Sequence, residues 1–168
     1  MPIYMGIFDK PNVLDKNFRG GVKAKGFEGW IQLQSAQIGV NRHITSQTGR
    51  GTNREASQPA VQEIVITKSQ DDASTALFRE SLHGKGRLIV IVFAKEDGTT
   101  YMKLVLQNTL ISSYSVSGHG GDTSSGPMES FSLNFSNITY EASPKSPDTT
   151  HRQMYDLSQY DLSEQKGA

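Results

Sequence analysis

The fold class of this chain is decided by two segments, Leu110-Ile-Ser-Ser-Tyr-Ser-Val-Ser117 and Met128-Glu-Ser-Phe-Ser-Leu-Asn-Phe135, and by the loop between them, Gly118-His-Gly-Gly-Asp-Thr-Ser-Ser-Gly126. Within each segment apolar and polar residues alternate with period two, which is the pattern of a strand with one buried face. The loop is too polar and too rich in glycine and serine to continue either strand. This stretch therefore predicts a β-hairpin with a long loop, and a mainly β fold.

Changes of phase in the same alternation predict a curved sheet. Residues 27–40 are predicted as one long strand, yet their apolar positions are first Ile31 and Leu33 and then Ala36 and Ile38. A similar slip follows the second strand of the hairpin. Because such a slip marks a β-bulge or a bend onto a second sheet, the pattern favours a closed or strongly curved sheet over a flat one.

One short α-helix is predicted between two stretches of strand. Asp71 or Asp72 is expected to cap it, and Gly84 to end it. The apolar stripe expected on this helix consists of Ala73, Leu77, Phe78 and Leu82. Further strands are predicted around residues 3–7, 61–67, 88–94 and 101–106, with a tight turn at Asp97-Gly98 before the last of them.

The chain is predicted to be one domain, residues 1–142, with a polar C-terminal tail, residues 143–168. The composition of the tail predicts that it is flexible, with the alternative that residues 154–162 dock as one short element. Within the domain, segments 9–26 and 41–59 are predicted as loops. The second is longer than most loops of compact domains, which indicates that it has a function.

Composition excludes several classes of protein. The 168 residues contain 17 Lys plus Arg and 17 Asp plus Glu, so the net charge is zero and neither nucleic acid nor an anionic membrane is an expected partner. There is no cysteine, which excludes disulfides, thiolate zinc sites and cysteine nucleophiles. The first ten residues have no signal-peptide pattern, so we expect synthesis in the cytoplasm without a signal peptide.

No pattern in the sequence predicts an enzyme. The four histidines have no metal-ligand spacing, and His119 lies near Asp122 without a nucleophile elbow. The glycine spacing of residues 121–126 is that of a phosphate-binding loop, but Pro127 and Met128 stand where that motif needs Lys and Ser or Thr. We therefore predict no catalytic residues, no cofactor and no metal site.

Four blocks of sequence follow one another along the chain. The first begins with Gly29-Trp-Ile-Gln-Leu-Gln-Ser35, the second with Ile64-Val-Ile-Thr-Lys68 and the Asp71-Asp-Ala-Ser74 that follows it, the third with Tyr101-Met-Lys-Leu104, and the last with Glu129-Ser-Phe-Ser-Leu-Asn-Phe135. In this order the blocks resemble the haemolysin-coregulated protein (Hcp) family of bacterial type VI secretion. The resemblance covers roughly residues 27–140. The chain departs from the family pattern at Thr75, where proline is common, and in the long basic segment 10–25.

The resemblance implies a small β-barrel built from two curved antiparallel sheets with one helix. It implies rings of six subunits that stack into an expelled tube, with small effectors in the lumen. The implied partners are further copies of the chain, the sheath, the spike and the effectors, and the implied location is outside the cell after passage through the type VI apparatus. It gives the long loop 41–59 a role in contacts within or between rings, for which the candidate residues are Arg42, His43, Thr45, Arg50, Asn53 and Arg54.

Three other functions remain open at this point. The chain can be the tail-tube protein of a contractile phage-like particle, which belongs to the same structural class. It can be a monomeric β-barrel that binds a peptide or glycan through its loops. An enzyme would need a base and a nucleophile brought together from distant segments.

Overall fold

The structure, a computed structural model, describes residues 1–46, 54–56, 59–121, 126–142, 156–162 and 166–167. One α-helix, α1, runs from Ser74 to His83, and a short 3-10 helix spans Lys16–Phe18. The strands are β1 (Ile3–Lys10), β2 (Val13–Leu14), β3 (Ile31–Leu33), β4 (Ser35–Gln37), β5 (Val40–Asn41), β6 (Ile44–Ser46), β7 (Arg54–Ala56), β8 (Ala60–Val61), β9 (Ile64–Ser69), β10 (Arg87–Ala94), β11 (Thr100–Ser117), β12 (Met128–Asn134), β13 (Asn137–Ala142), β14 (Asp156–Asp161) and β15 (Lys166–Gly167). Among the described residues, no helix has the length and apolar character that crossing a membrane requires.

Two antiparallel sheets share the long strand β11. Sheet A has the order β14-β13-β11-β10-β1-β3, and sheet B has the order β11-β12-β9-β4. Only Gln34 separates β3 in sheet A from β4 in sheet B. The strands therefore follow one another from β11 through sheet A to β3, and from β4 through sheet B back to β11. This arrangement agrees with the strongly curved sheet that the phase slips predict and with the small β-barrel of two curved sheets that the resemblance implies.

The phase slip predicted within residues 27–40 is confirmed, but the single long strand is wrong. Ile31 and Leu33 belong to β3 of sheet A, and their side chains are buried in the core. After Gln34 the chain joins sheet B, where Ala36 packs against the same core. Residues 27–30 form no strand. The slip is the point where the chain passes from one sheet to the other, because the buried face changes side there.

Two strands predicted separately are one bent strand, β11. Its first part pairs with β10 and β13, and residues 110–117 pair with β12, which confirms the hairpin. The bend lies at Asn108, whose φ of 50° is in the left-handed region that asparagine tolerates better than most residues. Gly86 packs directly against the Asn108 side chain and leaves no room there for a Cβ.

The main core lies between the two sheets. It includes Met5 from β1, Ile91 from β10, Leu106 from β11 and Phe131 from β12. β10 is buried on both faces, as its continuous apolar sequence predicts, because a second apolar layer covers the outer face of sheet A.

That second layer is formed by residues 19–30, which we call the strap. The backbone N–H of Gly20 donates to the carbonyl of Gly29 at 2.9 Å, and the N–H of Val22 donates to the carbonyl of Trp30 at 3.2 Å. The Trp30 ring meets that of Phe8 edge-on, with 5.5 Å between centroids. The segment 9–26, predicted as a loop, thus holds β2, the 3-10 helix and most of the strap.

Helix α1 confirms half of the predicted apolar stripe. Ala73 and Leu77 are fully buried, whereas Phe78 is 51% exposed and Leu82 is 60% exposed. Leu77 and Phe78 are adjacent in sequence and therefore about 100° apart around the helix, so one can face the core while the other does not. The predicted aspartate cap is wrong, because the N-cap residue of α1 is Ala73 and no side chain caps the helix. Asp71 Oδ1 instead accepts a hydrogen bond from the Ala73 N–H at 3.0 Å in the turn before the helix.

Part of the C-terminal tail docks on sheet A. Strand β14 pairs with β13 in the register Ile138↔Tyr160, and the Leu162 N–H donates to the Ser136 carbonyl at 2.7 Å. For residues 156–162 the docked alternative is therefore correct, and Met154 and Tyr155 lie outside the described residues. The domain boundary at residue 142 stays a prediction.

The segment 41–59 is more regular than the predicted loop. Val40 pairs with Val61 at its base, and further out β6 pairs with β7 in the register Ile44↔Ala56. Residues 47–53 and 57–58 lie outside the described part of the chain. We call residues 40–61 the arm.

Candidate assembly surfaces

The outer face of sheet B is covered by small, uncharged polar side chains. The face comprises Ser35, Gln37, Thr67, Ser69, Ser113, Ser115, Ser117, Ser130, Ser132 and Asn134, with the apolar Val65, Leu110 and Met128 among them. At one end of the face, the Glu63 carboxylate accepts a hydrogen bond from the Asn134 amide at 3.1 Å. Ser113 Oγ donates to Ser132 Oγ across 3.0 Å, and the hydroxyls of Ser35 and Thr67 lie 2.6 Å apart. Cross-strand hydroxyl pairs satisfy one another, so this face offers little net charge or apolar area to a passing protein.

Sheet B has two strands with an available edge. Among the described residues, β4 pairs with β9 alone, and residues 110–117 of β11 pair with β12 alone. Unpaired N–H and C=O groups along an edge can bind a further strand. The two edges lie at opposite sides of the four-stranded sheet.

A buried ionic cluster connects sheet B to the start of α1. The Lys68 side chain is fully buried, and its Nζ lies 2.6 Å from Glu129 Oε2 and 2.8 Å from Asp71 Oδ1. Lys68 Nζ also donates to Ser74 Oγ at 3.2 Å. A buried ammonium needs partners of this kind to offset its lost hydration.

Tyr114 extends this cluster to the surface. Burial, followed by its hydrogen bond to Glu129, raises the pKa of the Tyr114 hydroxyl well above its usual value. The Tyr114 ring packs edge-on against Phe78 of α1, with 5.7 Å between centroids. The cluster thus fixes the position of α1 beside β11.

Arg87 connects the other end of α1 to the segment before the strap. Its guanidinium binds Glu80 of α1 at 2.9 Å and Asp15 at 2.8 Å, and it lies over the Phe18 ring, 5.1 Å from the centroid. The hydrogen bond to Glu80 is the largest cause of the raised pKa of Arg87. This contact ties together β10, α1 and the 3-10 helix.

The predicted contact residues lie on the arm as far as the structure describes them. Arg42 and His43 are exposed, Thr45 lies in β6, and Arg54 lies in β7 opposite Ser46. Arg50 and Asn53 are outside the described residues. The assignment of all six as contacts between subunits stays a prediction.

An apolar groove of about 360 Å³, which the sequence does not reveal, lies at the base of the arm. We call it the arm-base groove; it is lined by Ile38, Gly39, Val40, Pro59, Val61, Ile138, Tyr140 and Tyr160. Three parts of the chain meet there, namely the end of β4, the base of the arm, and strands β13 and β14. The only sequence signal was the possible docking of the tail, which brings Tyr160 to this place.

Inside the barrel, the buried Lys68 ammonium is paired with the carboxylates of Glu129 and Asp71, and this pairing stabilises the fold. Within the described ranges, no three or more histidine, cysteine, aspartate or glutamate residues form a group that could hold a metal ion. The candidate surfaces are therefore a polar sheet face, two strand edges, an arm and a groove.

Solved structures of other proteins share the fold of this chain. A solved structure described as a type six secretion system protein superposes with a TM-score of 0.86 at 18% identity, covering 99% of both chains. Hcp1 from Salmonella typhimurium gives a TM-score of 0.75 at 18% identity, covering 99% of this chain and 98% of that one. A type VI secretion system effector from Yersinia pestis gives 0.69 at 15% identity, covering 95% and 98%. At these identities the structures show a shared fold.

Sequence comparison identifies the family. No curated protein matches the chain in a sequence search. The sequence model of a family described as type VI secretion system effector, Hcp, matches residues 4–141, which is most of the chain. The chain therefore belongs to the Hcp family of type VI secretion proteins.

Proposed function

We propose that this chain is a tube subunit that assembles head to tail into a ring of six copies, and that the rings stack into an expelled tube. The observation that carries the proposal is sheet B, which combines a polar, nearly uncharged outer face with an available strand edge at each side. The role is structural and needs no catalytic residue.

The direction of the strands in sheet B suits a closed ring. Successive strands β11, β12, β9 and β4 are antiparallel, so β4 runs opposite to the 110–117 segment of β11. If β4 of one copy lies beside β11 of the next, the two strands are antiparallel and the sheet continues from copy to copy. Such a contact joins two different surfaces, and a contact of this type forms a ring when its rotation closes.

The outer face of sheet B then lines the lumen. Serine and threonine hydroxyls that bond one another give a wet wall with little affinity for any one protein surface. A small effector can occupy such a lumen without strong binding and leave it again. Sheet A and the strap then face outwards, where the sheath of the secretion apparatus would lie.

The arm supplies the contacts between rings in this proposal. It extends beyond the barrel on the paired strands β5 to β8, and Arg42 and His43 are exposed on it. The proposed partners are therefore further copies of the chain, the sheath and spike, and small effectors. The proposed route out of the cell is the type VI apparatus.

Gold labelling of single cysteine variants tests the orientation of the subunit. Because the chain has no cysteine, Ser115→Cys on sheet B and Lys23→Cys on the strap can each be labelled with a maleimide-gold particle. In negative-stain images, we expect gold at the central hole for Ser115→Cys and at the outer rim for Lys23→Cys. Gold from Ser115→Cys at the outer rim would contradict the proposed lumen.

A further inference from the structure

Helix α1 carries an exposed apolar pair that the single chain does not bury. Phe78 is 51% exposed and Leu82 is 60% exposed, and they stand one turn apart on the same side of the helix. Phe78 is held in place by the ring of Tyr114. We call Phe78 and Leu82 the α1 knob.

The arm-base groove is the apolar concave surface at the other side of the chain. Val40 is 60% exposed and Tyr140 is 40% exposed at its opening. Its lining is mainly apolar, and it begins at Ile38, directly after the end of β4. The chain thus has an apolar projection near one free edge of sheet B and an apolar groove near the other.

The proposed pairing between copies brings these two surfaces together. With β4 antiparallel to β11 of the next copy, the C-terminal end of β4 lies beside the start of the 110–117 segment. The C-terminal end of α1 lies near the same place, because it leads into β10, where Arg87 is opposite Thr109. Leu82 in the last turn of α1 and Ile38 of the neighbour are therefore placed at one end of the same contact.

We propose that the α1 knob of one copy docks into the arm-base groove of the next copy. This inference rests on the proposed ring, and its occupant is a second copy of this chain. An apolar i, i+4 pair on a helix is a common way to fill a hydrophobic groove. The docking explains why a helix with only one buried face carries a second apolar pair in place of polar residues.

Cysteine cross-linking tests the docking directly. We expect the double variant Val40→Cys with Leu82→Cys, treated with a short bismaleimide, to form a ladder of covalent oligomers up to the full ring. Each single variant should give no covalent product. A mixture of the two single variants should give dimers and nothing larger, because each copy then has one reactive end.

Light scattering on the same samples separates the two proposals. If the double variant is assembled but forms no cross-link, the ring stands and the docking is wrong. A covalent dimer from Leu82→Cys alone would also overturn the docking, because it would place α1 against α1 across a two-fold axis. If both the double variant and the unmodified chain are monomeric, the proposed ring itself is wrong.

Substitution of the knob gives a second, independent measurement. Phe78→Ser with Leu82→Ser should raise the concentration at which the assembly dissociates by roughly tenfold or more, since a central apolar contact is lost. Thr75→Ser, at another exposed position of α1, is the matched control and should leave that concentration unchanged. An unchanged dissociation concentration for the knob variant, with its circular dichroism spectrum intact, would overturn the docking.

Discussion

Lys68 and Glu129 lie directly opposite each other on neighbouring strands of sheet B, and both side chains are buried, with 2.6 Å between Lys68 Nζ and Glu129 Oε2. The pair stands at the end of the core where α1 begins. It forms with Asp71 and Ser74 a polar cluster inside an otherwise apolar barrel.

Loss of one member of this pair should destabilise the chain strongly. Lys68→Met leaves the Glu129 carboxylate buried without its ammonium, and we expect the free energy of unfolding to fall by about 3–5 kcal/mol. The double variant Lys68→Met with Glu129→Leu should recover part of that loss, because no buried charge is left unpaired between the strands. Urea unfolding followed by circular dichroism measures both. Equal losses in the single and double variants would show that the cost does not come from the unpaired Glu129 carboxylate.

Tyr114 should make stability fall at high pH. Its pKa in the folded chain is raised by burial and by the bond to Glu129, whereas in the unfolded chain it is about 10. Above that pH the unfolded chain releases the proton and the folded chain keeps it, so the unfolded state gains relative stability as the pH rises. The contribution is fully present below about pH 10 and is lost above it. As the pH rises above about 10, the free energy of unfolding should therefore fall more for the unmodified chain than for Tyr114→Phe. Equal losses in the two proteins would contradict the raised pKa of Tyr114 in the folded chain.

The bend in β11 should depend on the residue at position 108. Asn108 has a φ of 50°, so Asn108→Val forces a β-branched residue into the left-handed region and should cost about 1–3 kcal/mol of unfolding free energy. Asn108→Gly should be tolerated, since glycine adopts positive φ without a steric penalty. Chemical denaturation compares the two variants. A valine variant as stable as the glycine variant would mean that the bend does not need the left-handed conformation.

Arg87→Lys should loosen α1 although the charge is kept. One ammonium cannot reproduce the planar guanidinium contacts with Glu80, Asp15 and the Phe18 ring, so we expect a loss of about 1–3 kcal/mol of unfolding free energy. Lys85→Arg, at an exposed position of the next loop, is the control and should change stability little. Thermal unfolding measures the difference, and identical melting of Arg87→Lys and the unmodified chain would argue against this role.

The strands that could be predicted from the sequence are those marked by a local alternation of apolar and polar residues. The hairpin from Leu110 and the passage between sheets after Leu33 both follow from period-two patterns, because a strand with one buried face must alternate. The sequence also predicted α1, but not which of its apolar residues would be buried. The spacing of the apolar residues predicts that Phe78 and Leu82 belong to the core, whereas the structure shows that both are exposed.

Other features depend on contacts between distant segments. The sequence predicts one strand over residues 101–106 and another from Leu110, and only the pairing of both parts shows that they form one bent strand, β11. Lys68 continues the buried alternation of Ile64 and Ile66, and Glu129 occupies a matching inward position on β12. Two opposite charges at inward positions were the signal for the buried pair, but the register that joins them is visible only in the structure.

The mass of the protein in solution tests the central claim most directly. Light scattering on a sizing column, followed by negative-stain imaging of the peak, should give a mass near six times 18.5 kDa and annular particles. A single species near 18.5 kDa, at concentrations where the ring is expected, would contradict assembly through sheet B and leave the chain as a monomeric barrel.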